Sequence, residues 1–424
     1  MLVPLALACL ACSETKAPSP APVEAGPAPL GGVAQRSSAN RADNRAGLVT
    51  RETLEAWLAD WPANRPEGIT GDLVILQPDD AEGPLTYVAQ APGVRAYHAP
   101  DLPLLLQARN NGVLAISRVP GNGVRVDSYL RRYGIRHDRD LVVFLAGKRS
   151  VATLADLTRA WLTLRSWGLP HRSLAVVDAS VSELDAAFRS EASIPPPIAN
   201  DDVRVPSLER PYFELVAHLG DVRDAVEEQA PLLDSRPLDE FEGKRLAASA
   251  LDETCLAGSP ECTPTYSGRI LGAQHFPVER VLDPTTFAFR PLSELDSAFA
   301  LTGAVPIVYD HDGASSAVVT FAALAVAGVP MRWYAASFLE WASLNASHPV
   351  PELRTLPEAS PWRTDVPALS EGERQWATTE RSVRPLVFDP ASESAERSRL
   401  EDLEYLEDPT PLPAPGVGDS SCLR

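Results

Sequence analysis

The chain has 424 residues, 45% of them hydrophobic, which is enough for more than one buried core and suggests two domains with extra segments. Its formal charge of −19 and its isoelectric point near 4.8 exclude nucleic acid and an anionic membrane surface as partners, because both require Lys and Arg in excess.

The first element is "MLVPLALACLACSETKAPSP". Its apolar run is too short to span a bilayer and breaks at small residues followed by Cys, the layout of a bacterial lipoprotein signal. Residues 1–12 are therefore expected to be a signal segment, with Cys12 as the lipidated residue and Cys9 as the alternative. This places the protein in the periplasm or at the outer membrane, touching a membrane only through the lipid anchor. Residues 13–46 are rich in Pro, Ala, Gly and Ser and cannot bury a core, so they read as a disordered tether.

Order is expected from "LVTRETLEAWLADW", where Thr50 can cap a helix that carries Leu54, Trp57 and Leu58 on one face. Apolar strands then alternate with helices: "DLVILQ" (72–77), "LVVFLAG" (141–147), "LADLTRAWLTLRSWG" (154–168) and "SLAVVD" (173–178). This alternation implies a mostly parallel sheet flanked by helices. Leu154, Leu157, Trp161 and Leu164 share a helical face and belong in the core. Lys148, Arg149 and Ser150 precede this helix; a solvated basic loop is the expected reading, with an anion site as the alternative.

After the breaker-rich stretch 191–211 the cycle repeats, with "APLLDSR" (230–236), "VPIVY" (305–309), a helix over 315–327 stopped by Gly328 and Pro330, and "MRWYAASFLEW" (331–341). The fold class is thus α/β, an N-terminal unit at 47–190 and a C-terminal unit at 212–347, each a mostly parallel sheet flanked by helices. A polar tail follows at 348–424. Its one helix, ending before Pro409, shows a narrow stripe of Leu400, Leu403 and Leu406 and is expected to pack back on a domain rather than bind a partner.

If the chain is exported, its remaining cysteines meet an oxidising compartment. Cys255 and Cys262 enclose a Gly- and Pro-bearing turn and are candidates for a disulfide, and Cys422 is free to pair between chains. Metal is not expected, because the nearest histidine, His275, stands alone.

Taken in order, "LLDSRPLDEFEG" (232–243), "GRILGAQHFP" (268–277), "FRPLSELDSAF" (289–299), "YDHDGASSA" (309–317) and "RWYAASFLEW" (332–341) resemble the two-domain sulfurtransferase form of the rhodanese family. They match its strand ending in Asp-x-Arg, its Gly-x-Ile-x-Gly-Ala turn, its helix before the central strand, its active loop and its closing strand. The first half matches more faintly, through "LVTRETLEAWL" (48–58), "APGVRAYHAPDL" (91–102), "YLRRYGIRHDRDLVVF" (129–144) and "LAVVDAS" (174–180).

The resemblance implies tandem rhodanese-like domains, no cofactor, and a loop whose leading Cys carries sulfane sulfur from thiosulfate or mercaptopyruvate. Loop amides and the helix dipole would lower the pKa of that thiol. Here the matching residues are Asp310 in the second half and Leu145 in the first, so both halves lack the nucleophile. A carboxylate forms no S–S bond. Asp310 is expected to fill the amide cradle as an internal anion, within a loop of His311, Asp312, Gly313, Ala314 and Ser315.

Arg236 and Arg269 are candidate anion contacts, although Arg236 also reads as the partner of an acid. A hydrolase triad of Asp310, His311 and Ser315 or Ser316 is disfavoured, because neighbours in a tight turn diverge. The sequence therefore points to binding or scaffolding by an inactive family member, with a protein or a small anionic ligand as partner. The alternative is a sulfurtransferase or thiol-redox protein that uses Cys255 or Cys262.

Overall fold

The computed structural model describes residues 45–78, 86–100, 102–110, 115–190, 197, 199, 203–208, 211–244, 268–301, 303–346 and 397–409. The expected signal segment, the tether up to residue 44 and all five cysteines (Cys9, Cys12, Cys255, Cys262 and Cys422) lie outside these residues.

Two five-stranded parallel sheets organise the chain. The first contains β1 (Leu48–Val49), β2 (Leu73–Gln77), β3 (Val94–His98), β6 (Leu141–Ala146) and β7 (Leu174–Ser180). Between β3 and β6 an antiparallel hairpin is inserted, β4 (Leu106–Asn110) with β5 (Ala115–Pro120). The second sheet contains β8 (Val216–Ala217), β9 (Leu232–Asp234), β10 (Gln274–His275), β11 (Ile307–Tyr309) and β12 (Arg332–Tyr334). Spatial order is β1-β7-β6-β2-β3 in one and β8-β12-β11-β9-β10 in the other, so the same permutation recurs in both. β2 and β6 are buried at every residue, which is why their sequences run continuously apolar instead of alternating.

The helices form where the sequence supplies caps and one apolar face. Thr50 accepts the Thr53 N–H and starts α1 (Arg51–Ala59), which buries Leu54, Trp57 and Leu58. Helix α2 (Gly123–Arg132) follows the hairpin and is capped by Asn122. Ser150 and Thr153 form a reciprocal capping box at the start of α3 (Val151–Ser166). Helix α4 is Leu219–Glu227, and α5 begins at Ala314 and runs to Phe321. It widens into a π-helical turn over Ala322–Ala327, where the sequence suggested one regular helix, and stops at Gly328 with φ of 71°. Helix α6 (Ser337–Ala346) follows β12.

One apolar cluster runs through both halves, and α3 against α5 is its centre. Trp161 meets the Phe321 ring edge-on at 5.3 Å, and Leu154, Leu157 and Leu164 are fully buried beside it, as their spacing indicates. Further along the chain, α7 (Arg397–Glu407) packs back on the first half. It does so on a different face from the one its leucines suggest. Ser398, Asp402 and Tyr405 are buried, whereas Leu400 and Leu403 are 52% and 42% exposed and only Leu406 joins the core partly. The polar face wins because it finds charged and hydrogen-bonding partners that a sequence pattern does not display.

A polar joint also ties the halves together. The Arg149 guanidinium is held by Asp178 at 3.2 Å and by Glu183 at 2.9 Å, and Asp178 accepts the backbone N–H of Phe289 from the second half. The alternative of an anion site around Lys148, Arg149 and Ser150 is thus corrected: Arg149 is neutralised within the chain, and Ser150 caps α3.

Burial raises the Asp178 carboxyl to about 6 from an ordinary 3.8, so the fold favours its protonated form. The stabilisation from this group is complete below pH ~4 and is lost as pH rises through about 6, a loss on the order of 2–3 kcal/mol. Glu183 acts in the opposite sense: burial opposes ionisation, but Arg149 and Ser180 outweigh it and hold the carboxyl near 2, so its contribution is lost only in strong acid. Asp178→Asn should therefore melt about 2–6 °C above the parent at pH 7.5 and together with it at pH ~3.5, measured by calorimetry at both pH values.

Candidate functional site

The C-terminal end of β11 lies at the middle of the second sheet, flanked by β9 and β12. Asp310 is the next residue, and the turn that follows reverses the chain into α5 within four residues. Gly313 makes this possible with φ of 88°. A Cβ on Gly313 would sit 2.4 Å from the Ala335 carbonyl oxygen, so two backbone segments meet there with no room for a side chain.

The Asp310 carboxylate, in a residue only 3% exposed, fills the cup made by this turn. One oxygen accepts the Gly313 N–H at 2.6 Å and the hydroxyls of Ser316 and Ser337 at 3.0 Å each. The other accepts the Ser315 N–H at 2.7 Å. Backbone bonds from Phe338 N to the Asp310 carbonyl and from Leu339 N to the His311 carbonyl fasten the turn to the start of α6. Ser337 is itself fully buried with φ of 54°, a strained conformation for a residue with a side chain. Its hydroxyl sits between the Asp310 amide and carboxylate, and these bonds hold it there.

Burial and the nearby Asp312 carboxylate push the Asp310 pKa up, while Arg159 and the Ser315 and Ser316 donors pull it back. An amide N–H points at each oxygen, and that bonding fits the ionised form, in which both oxygens are acceptors.

With its N–H groups turned inward, the loop turns carbonyls outward, and these too are satisfied. Arg159, on α3 of the first half and fully buried, donates from Nη2 to the Asp312 carbonyl at 2.7 Å and from Nε to the Gly313 carbonyl at 3.2 Å. It also pairs with the Asp312 carboxylate at 3.3 Å. Burial opposes ionisation of Asp312, but Arg159 outweighs it and its pKa falls below the ordinary value. The Trp333 indole N–H approaches both the Gly313 carbonyl and the Ser316 hydroxyl at 3.2 Å. Arg159 and Ser337 carry no motif that sequence analysis could detect; Trp333 was legible only as part of the closing strand.

The other residues singled out by sequence fall as follows. Burial pushes His311 down to about 4, so its imidazole is neutral, and neither ring nitrogen has a hydrogen-bond partner. It therefore makes no link with Asp310, Ser315 or Ser316. Ala314 and Ser315 are half-buried at the first turn of α5.

Arg236 does not offer a free guanidinium to an anion, which corrects one of the two candidate contacts. Its Nε and Nη2 are bonded to Asp234, Nη2 also reaches the Gly268 carbonyl at 2.6 Å, and the plane lies 3.9 Å from the centre of the Phe338 ring. Arg269 lies over the Phe241 ring at 4.6 Å with Nη1 3.4 Å from the Phe241 carbonyl. His275 places Nε2 2.9 Å from the Arg236 carbonyl and so carries its proton there.

In the first half the alignment of Leu145 with Asp310 shifts. Leu145 lies inside β6, fully buried in the core. Asp310 follows its strand directly and stands four residues before the first helical residue; the position with those offsets is Gly147. Neither Leu145 nor Gly147 carries a thiol, and no cysteine lies among the described residues.

This geometry makes two substitutions informative. Gly313→Ala forces a Cβ against a carbonyl at positive φ and should cost at least about 3 kcal/mol. Asp310→Asn turns one acceptor into a donor facing an amide N–H and should cost about 2–3 kcal/mol. Urea unfolding of both variants checks the pair; an Asn variant as stable as the parent would mean that the carboxylate does not hold the loop.

No family model matches the chain, and no curated protein matches it. Solved structures do. YnjE aligns at 16% identity and a TM-score of 0.51 over 70% of this chain, which spans 66% of the length of YnjE. EanB in complex with ergothioneine covalently linked to a persulfide cysteine aligns at 15% identity and a TM-score of 0.50, over 72% of this chain and 68% of that one. Tum1 from Saccharomyces cerevisiae aligns at 17% identity and a TM-score of 0.43, over 69% of this chain and 94% of that one. What the likeness to YnjE and EanB carries is the fold: a rhodanese-like α/β architecture of parallel sheets flanked by helices.

Proposed function

We propose that this chain is a degenerate tandem member of the rhodanese sulfurtransferase family, exported and lipid-anchored at Cys12, that acts by binding or scaffolding instead of sulfur transfer. The observation that carries the reading is the Asp310 carboxylate in the cup of amides and hydroxyls after β11, where the family resemblance calls for a thiolate. Those donors would stabilise a thiolate or persulfide by the same bonds. An oxygen side chain accepts them equally well but cannot take up or release sulfane sulfur. Arg236 and Arg159 support the reading from another side, since both are bonded within the chain and neither is offered to an anionic sulfur donor. The partner in this reading is a protein or a small anionic ligand.

The protein as it stands should convert thiosulfate and cyanide, or mercaptopyruvate and cyanide, no faster than a protein-free blank. Intact mass after treatment with either donor should show no added sulfur on Cys255 or Cys262; a stable gain of one sulfur there would favour the alternative enzyme. Asp310→Cys places Sγ among the same donors and should gain measurable turnover of thiosulfate, at least 10-fold above the parent. If the variant folds and still fails to form a persulfide, the cup no longer supports the family's chemistry and the loop is structural only.

A further inference from the structure

Helix α7 is an 11-residue helix that does not look self-sufficient. Its first turn carries Arg397 and Arg399 and its last turn Glu404 and Glu407, the reverse of what the helix dipole favours. At this length such a segment does not hold helical structure in water by itself. What orders it is a seat on the first half.

Arg109 of β4, only 6% exposed, forms a two-pronged pair with Asp402 at 2.8 and 2.9 Å and donates to the Ser398 carbonyl at 2.7 Å. One turn further on, the Tyr405 hydroxyl donates to the buried Asp127 at 2.6 Å, and Arg204 donates to the same hydroxyl at 3.1 Å. The Tyr405 ring lies so close to Gly123 that a Cβ there would fall 2.0 Å from it. The seat is therefore specific for a helix presenting Asp and Tyr three residues apart, with the backbone carbonyl four residues before the Asp turned to Arg109.

The fit is not complete. A cavity of about 40 Å³ remains between Ser398, Arg399 and Asp402 on one side and Trp167, Phe213 and His218 on the other. That is room for a few waters and short of the packing density of an interior. Residues 347–396 separate α7 from α6, a length whose maximum reach is about 160 Å, so the seat of a neighbouring molecule lies within range.

We propose that this seat is an exchange site, and that its partner in trans is α7 of a second copy of this chain, giving a dimer by reciprocal helix swapping. The contacts are the same in cis and in trans, so the balance is set by concentration: the tethered helix dominates when the protein is dilute, and exchange grows as it is crowded together. The proposal does not depend on whether the loop at Asp310 is active.

The test uses two full-length variants with complementary lesions. Gly123→Leu blocks the Tyr405 seat and leaves α7 intact; Arg109→Met provides the same lesion should that variant misfold. Asp402→Ala with Tyr405→Ala disables α7 and leaves the seat open. Each variant alone should sediment as a monomer, and their mixture should give a one-to-one heterodimer. A labelled peptide of residues 392–409 should bind the helix-disabled variant about 100-fold more tightly than the parent, whose own helix competes at an effective concentration near ~1 mM. A mixture that stays monomeric overturns exchange between copies, and so does a dimer formed by the helix-disabled variant alone, which would place the contact elsewhere.

Discussion

The carboxylate of Asp310 is the group around which the second half is arranged. A turn that reverses a strand into a helix within four residues gathers N–H groups on its inner side, and those groups require an acceptor. Here the acceptor is covalently part of the turn. Two amides and two hydroxyls meet its two oxygens, which offsets the cost of burying a charge. Positive φ at Gly313, and at Ser337 where a side chain makes it unfavourable, is tolerated because each of these residues supplies one of the donors.

The same turn explains why the two halves form one body. Amides that point inward leave the carbonyls of Asp312 and Gly313 pointing out, towards α3 of the first half, and Arg159 answers both. A fully buried guanidinium needs such a set of acceptors, and the loop needs such a donor. The apolar packing of Trp161 on Phe321 lies on the same pair of helices, α3 and α5, so the polar and apolar parts of the joint reinforce each other. Arg149, Asp178 and the Phe289 amide form a second polar tie, which begins in the corresponding turn of the first half.

Much of this was legible in the sequence wherever a local rule governed. Continuous apolar runs gave β2, β6 and β11, Thr50 and Ser150 gave the helix starts, and the order of short motifs located the loop and the residue at its head. What escaped were interactions that only the folded chain creates. Arg159 reads as one cation among many on an amphipathic helix, and nothing local reveals that it meets carbonyls more than 150 positions away. The hairpin of β4 and β5 was missed because Arg109 interrupts its apolar pattern, yet that arginine is buried against Asp402. The leucine stripe of α7 misled for the matching reason: periodicity ranks faces by hydrophobicity, whereas this helix is seated through Ser398, Asp402 and Tyr405. The displacement of Leu145 by two positions relative to Asp310 shows a third limit, because a strand's end is not marked when the residues on both sides of it are apolar.

The identity of the residue at the loop head is itself constrained by geometry. A side chain there must present an acceptor to Gly313 on one flank and to Ser315 on the other. Asn offers one acceptor and would set an amide donor against the remaining N–H, and Ala would leave two amides and the Ser316 hydroxyl unanswered in a buried site. Glu is longer by one methylene in a pocket where the Ala335 carbonyl already excludes even a Cβ from Gly313. Among oxygen side chains Asp alone carries two acceptors at the right reach. A loop shaped to hold an anion, once it lacks a thiolate, keeps its conformation with Asp at its head, and the retained strain at Ser337 follows from that choice.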